Sequence, residues 1–204
     1  ANLLDRQIGS LIERGILPIV LGGEHSVSIG AIRGAARVVP KLSVLQIDAH
    51  ADTREEYAGS AYNHACVMAR VKEWCPAVQV GIRAVDASEI AALEPHRVFW
   101  AHEIAACGPS DTGWMDDAVS PLGDRVWVTI DLDGFDPSVL PATGTPEPGG
   151  LDWYQVTALL RRVTRERNVV GADVVEVIPI SGQVVTQFLA ARLVYKLICY
   201  VQHR

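Results

Sequence analysis

Short apolar runs alternate with longer stretches of helical periodicity along this chain. The runs are Leu17–Leu21, Leu42–Ile47, Val78–Ile82, Val98–Ala101, Val126–Ile130 and Val169–Val175. They are rich in β-branched residues and have too few polar positions for a strand with one wet face, so they predict strands buried on both faces. Between them, Leu3–Arg14, Ser28–Arg37, Ala65–Trp74, Ala87–Leu93, Asp152–Arg167 and Val184–Val201 predict helices. This alternation predicts an α/β fold, a three-layer α-β-α arrangement around a mainly parallel sheet. No repeat, low-complexity stretch or linker divides the 204 residues, which predicts a single domain over 1–204. The chain opens directly in a helix that feeds the first strand.

Composition narrows the class of partner. The net charge is -6 and no long basic run occurs, which argues against nucleic acid or an anionic membrane as partner. No apolar run reaches the roughly 18–20 residues that span a bilayer, and no signal peptide opens the sequence, so a soluble, cytoplasmic protein is expected. The cysteines Cys66, Cys75, Cys107 and Cys199 form no C-x-x-C pair and sit among apolar neighbours, as expected for reduced, mostly buried thiols.

In open parallel sheets, ligands bind outside the carboxyl ends of the strands. Three of the predicted strands end in possible metal ligands: Gly22-Gly23-Glu24-His25-Ser26, Asp48-Ala49-His50-Ala51-Asp52 and Asp131-Leu132-Asp133. Residues two apart on an extended segment share a side, so Asp48, His50 and (if the extension lasts) Asp52 converge, as do Asp131 and Asp133. Clustered anions repel, and two divalent ions would balance the four aspartates. The absence of thiolates excludes a structural zinc or iron–sulfur site. Mixed carboxylate and imidazole donors favour Mn²⁺, with Fe²⁺, Co²⁺ or Zn²⁺ as substitutes. Either short motif alone is a common turn or cap; their joint occurrence at three strand ends is the specific signal. Gly22-Gly23 could cradle a phosphate, but no Gly-Lys-Ser/Thr follows.

These segments, with Thr129–Pro137, Ala142-Thr143-Gly144-Thr145-Pro146 and Asp173-Val174-Val175-Glu176-Val177, resemble the signatures of the arginase/agmatinase (ureohydrolase) family from about Pro18 onward. The resemblance implies a binuclear manganese hydrolase that cleaves a guanidino compound to urea and an amine. It implies that His25, Asp48, Asp52 and Asp131 hold one Mn²⁺, and that His50, Asp48, Asp131 and Asp133 hold the other. It makes His64 a proton shuttle, Glu176 the carboxylate that grips the guanidinium, and Thr145 a hydroxyl beside the site. Glu24 stands where many members have Asp, and is expected to support His25. Asp136 before Pro137 reads as a turn residue. The resemblance further implies a homotrimer or homohexamer, and an N-terminal segment, with a strand and substrate-side loops, that this sequence lacks.

The His64–Met68 and Thr145–Gly150 stretches look like bacterial and archaeal agmatinases, which points to agmatine as substrate. Arginases carry a Ser-Gly-Asn triplet before the shuttle histidine; this sequence has Ser60-Ala61-Tyr62-Asn63. Gly81–Glu89 resembles the arginase loop that meets the substrate α-amino group, through Asp86 and Glu89, which could equally take agmatine's distal ammonium. The alternatives are 4-guanidinobutyrate or arginine as substrate, a catalytically silent regulatory subunit, and a single-zinc deacetylase on a related fold.

Overall fold

The computed structural model describes residues 2–108 and 111–203. The two ends of the expected 1–204 domain, and Pro109 and Ser110, lie outside the described residues. Six parallel strands form one sheet: β1 (Ile19–Leu21), β2 (Leu42–Ile47), β3 (Ala77–Ile82), β4 (Val98–Trp100), β5 (Arg125–Asp131) and β6 (Asn168–Val175), in the order β1-β6-β5-β2-β3-β4. The helices α1 (Asn2–Glu13), α2 (Val27–Val38) and α3 (Val67–Val71) cover one face. The other face carries α4 (Ala101–Cys107), α5 (Gly113–Val119), α6 (Trp153–Glu166) and α7 (Val185–Gln202). The protein is therefore a three-layer α/β structure with a parallel sheet.

Strand alternation assigns side chains to the two cores. Val44 and Trp127 pack toward α1–α3, while Leu45, Val126 and Val128 pack toward α4–α7. The chain starts at one edge, leaves a gap of two strands, runs outward through β2, β3 and β4, then returns to fill the gap with β5 and β6. The carboxyl ends of β1, β2, β5 and β6 are thereby gathered on one side of the sheet, around the place where strand order reverses. Asp152 starts α6 with a reciprocal capping box, its carboxylate taking the Gln155 N–H while the Gln155 side chain takes that of Asp152.

Several expectations need correction. The first run is not buried on both faces: Leu21 is 70% exposed because β1 is the sheet's edge strand. Ala87–Leu93 forms only a 3-10 turn at Ile90–Ala92, because Asp86 makes a local turn with Ser88 and Glu89 turns inward. Ala65–Trp74 divides into a 3-10 turn at His64–Cys66 and the short α3. The α4 and α5 helices were not expected; each is only two turns long, too short for a helical periodicity to show. Cys107, at the end of α4, is exposed.

One glycine is required by a neighbouring side chain. A Cβ on Gly171 of β6 would lie 2.2 Å from the Trp127 ring of β5. Gly171→Ala is expected to destabilise the protein by about 1–3 kcal/mol, the usual effect of overpacking. A denaturant midpoint equal to wild type would show that the indole moves freely.

Candidate metal centre

The loop after β1 brings His25 back across the carboxyl end of β6: the Gly22 N–H donates to the Val174 carbonyl and the Glu176 N–H to that of Gly23. The His25 ring is buried, with Nδ1 2.9 Å from Asp52, 3.2 Å from Asp48 and 3.4 Å from Asp131. That nitrogen nevertheless makes a proper hydrogen bond with none of them. It points between three carboxylates, which is where a cation would sit. His50 Nδ1 lies 3.0 Å from Asp133 and 3.6 Å from Asp48. His25, Asp48 and Asp52 form one group with metal-ligand spacing, and Asp48, His50 and Asp133 form another, so Asp48 is common to both. Asp131 adjoins the first group through its distance to His25.

The local geometry is not the continuous extension expected from spacing. Asp52 has φ 55°, a left-handed conformation, and its carbonyl accepts the N–H groups of Met68 and Ala69 at the start of α3. The same turn aims its carboxylate at His25. Extension also ends at Asp131, whose carboxylate accepts the Asp133 N–H at 2.9 Å and starts a 3-10 turn. Asp133 thereby faces His50 and accepts from the Ala49 N–H and the Thr145 hydroxyl, each at 3.0–3.1 Å. Asp48 takes the His50 N–H at 2.6 Å and the Gln46 amide at 2.7 Å. Behind it runs a buried line in which Lys72 donates to Gln79 and Gln79 to Gln46.

Electrostatics support the fit of cations to this donor set. Burial works to lower the pKa of both imidazoles, but the surrounding carboxylates outweigh it: His25 is held well above the usual range, and His50 is pushed up to about 11. Burial and then the charge of Asp48 push Asp52 up to about 7, and the same two causes with Asp133 raise Asp131 strongly. Asp48 alone is lowered; burial opposes this, and the two imidazoles prevail. Left to itself, the cluster gathers extra protons to relieve its negative charge, and divalent cations would displace them.

The remaining expected site residues surround a cavity of about 690 Å³ above this cluster. His64 opens its 3-10 turn after Asn63, whose side chain caps it, and packs edge-on against Tyr57. Glu24 supports His64 rather than His25, 3.0 Å from its Nδ1. Glu176, at φ 67°, accepts the His25 N–H at 2.6 Å and is raised by burial. A non-glycine residue held at such a φ is strained, and such strain gathers at functional sites. Asp86 is exposed, 3.4 Å from Arg54. Glu89 is buried, with both oxygens taken by the N–H groups of Thr53 and Asp86. Arg83 gives its guanidinium to main-chain carbonyls, including Gly81, Asp133 and Glu147. Asp136 is the expected turn residue, accepting from Ser138, Gly149 and Gly150.

Sequence reasoning missed the buried polar residues beneath the candidate ligands. Gln46 on β2 and Thr129 on β5 stand two positions before Asp48 and Asp131. A polar side chain interrupting an apolar strand two residues before a ligand shares the ligand's side, and that was the available signal.

The arginase family model matches residues 1–199. The N(1)-aminopropylagmatine ureohydrolase of Synechocystis sp. is 40% identical over 198 residues, covering 95% of this chain and 63% of the relative. The agmatinase of Pyrococcus horikoshii is 37% identical, covering 89% of this chain and 62% of the relative. The solved agmatine ureohydrolase of Thermoplasma volcanium superposes with a TM-score of 0.84 at 31% identity, covering 98% of this chain and 68% of that one. The chain thus spans under two thirds of the length of these two sequence relatives, and it belongs to the arginase family.

Proposed function

We propose that this chain hydrolyses a cationic guanidino substrate to urea and an amine, and that agmatine is the substrate. The observation that carries this is the pair of carboxylate–imidazole groups sharing Asp48 at the floor of an acid-lined cavity. Seven acidic residues line the cavity (Glu24, Asp52, Asp86, Glu89, Asp131, Glu147 and Glu176) against one arginine, Arg54. His25, Asp48, Asp52 and Asp131 would hold one Mn²⁺, and His50, Asp48, Asp131 and Asp133 the other. When bound, two such ions activate water at neutral pH and polarise the electrophile.

The protein's own groups do the rest. Glu176 faces the planar guanidinium with a carboxylate that can accept two parallel charged hydrogen bonds. Thr145 steadies Asp133. The His64 Nδ1–H donates to Glu24, which leaves Nε2 as the nitrogen that carries a proton to the departing amine. Glu89 holds the Thr53 and Asp86 segments together, and Asp86, which shares Arg54 with Glu89, is the exposed carboxylate that the far ammonium would meet.

Arg54 is paired with Asp86 and Glu89, and Arg83 is committed to main-chain carbonyls. Among the described residues lining the cavity, no other arginine or lysine is present to take a substrate carboxylate. Agmatine is therefore expected to exceed arginine in kcat/KM by about 5- to 150-fold, equal to about 1–3 kcal/mol for an unpartnered carboxylate. Urea release in Mn²⁺ measured on agmatine, arginine and 4-guanidinobutyrate tests this. A preference for either acid, or no urea from any guanidine, overturns the reading; the last result fits a silent subunit. A second reading, aminopropylagmatine as substrate, is favoured by the name of the Synechocystis relative. A higher kcat/KM for that longer polyamine would replace agmatine with it.

A further inference from the structure

Asp173 has no place in the mechanism above, yet it is a fully buried carboxylate on β6. It accepts hydrogen bonds from Trp127 Nε1 at 2.6 Å, Ser28 Oγ at 2.8 Å and Thr129 Oγ1 at 2.6 Å. Burial raises its pKa, while these donors work against the shift. A buried charge is expensive to keep unless its hydrogen bonds are met, and three buried donors meet them here. Its use becomes visible one residue further on, because Thr129 Oγ1 also lies 2.9 Å from His25 Nε2.

We propose that Asp173, acting through the Thr129 hydroxyl, sets the tautomer of His25 and so turns the lone pair of Nδ1 toward the metal position. This rests on reading His25 as a metal ligand. A hydroxyl has one hydrogen. At Thr129 that hydrogen goes to the Asp173 carboxylate, the stronger, charge-assisted partner. The Thr129 oxygen must then accept from His25, so Nε2 carries the hydrogen. In the neutral ring Nδ1 is then bare, which is the form a cation needs. Asp173 is a positioning residue: it touches neither the cavity nor the cluster, and acts only through Thr129.

The asparagine variant shows why a carboxylate is needed. An indole N–H can only donate, so the Asn carbonyl must face Trp127 and the amide must take the place of the oxygen shared by Ser28 and Thr129. The amide donates to Thr129, and Thr129 then donates to His25 Nε2. The hydrogen moves to Nδ1, where it blocks the metal. An isosteric change some distance from the cluster thus reverses the polarity of the whole line.

The test is Mn²⁺ binding to metal-stripped protein, followed by calorimetry and by the electron paramagnetic resonance of free Mn²⁺. D173N and T129V are expected to bind at one of two sites about 10- to 100-fold more weakly than wild type, while T129S, which keeps the hydroxyl, stays near wild type. If D173N does not fold, the T129V and T129S pair decides the matter, with circular dichroism confirming their fold. Wild-type affinity in T129V, or equal losses in T129V and T129S, overturns the inference while leaving the metal centre standing. A wild-type protein that takes up no Mn²⁺ overturns both.

Discussion

Asp131→Asn is expected to reduce kcat for urea release by more than about 1,000-fold, and His64→Asn by about 100-fold. Asp131 lies 3.4 Å from His25 and holds the Asp133 N–H, so it serves both halves of the cluster. Two cations would together activate water and polarise the electrophile, and losing either would forfeit its share of that charge. An amide in its place removes the charge and turns a donor toward the cation. A proton shuttle contributes about 100- to 10,000-fold, and His64 should fall at the low end. It is half-exposed beside the cavity, where buffer can replace it. Steady-state assays with and without added imidazole separate the two. Equal losses, or imidazole rescue of Asp131→Asn and not of His64→Asn, would mean that the roles are reversed.

The second large effect is on stability. In metal-free protein, His50 titrates near 11 and Asp52 near 7, and His25 and Asp131 are also raised. Each of these groups holds its proton more tightly folded than unfolded. Their contribution is therefore full below the unfolded pKa, about 3.8 for the aspartates and 6.5 for the histidines, and is lost as pH rises through the folded value. Asp48 has the opposite sign, and its contribution is lost only on acidification below its unfolded value. The metal-free Tm is accordingly expected to fall between about pH 5 and about pH 8. Bound Mn²⁺ would replace the protons, so its stabilisation should grow over the same interval. At a free concentration near 100 times Kd it adds about 2.7 kcal/mol, or about 5–11 °C in a domain of this size. Calorimetric scans at both pH values check this. A Tm indifferent to Mn²⁺ at about pH 8 would exclude a metal centre built from these residues.

Sequence and tertiary structure decided different things. Short unbroken apolar runs alternating with helical stretches were enough for a parallel α/β sheet, because strands buried on both faces carry apolar residues at nearly every position. The candidate ligands were legible because metal binding demands particular side chains at strand ends, and Asp48, His50 and Asp131 have that type and spacing. What spacing could not supply was direction. Asp52 reaches His25 through a left-handed turn locked by α3, and Asp133 reaches His50 by leaving the strand altogether. The first depends on hydrogen bonds to distant backbone and the second on a local turn that the Asp131 carboxylate starts, and strand spacing encodes neither. The pairing of Glu24 with His64, the commitment of Arg83 to carbonyls and the burial of Glu89 likewise join segments far apart in the chain. The line from Asp173 through Thr129 to His25 crosses from β6 to β5 to the loop after β1. Those strands are neighbours only because the sheet returns to fill its own gap, so which hydrogen each oxygen receives was settled by topology and not by any residue's identity alone.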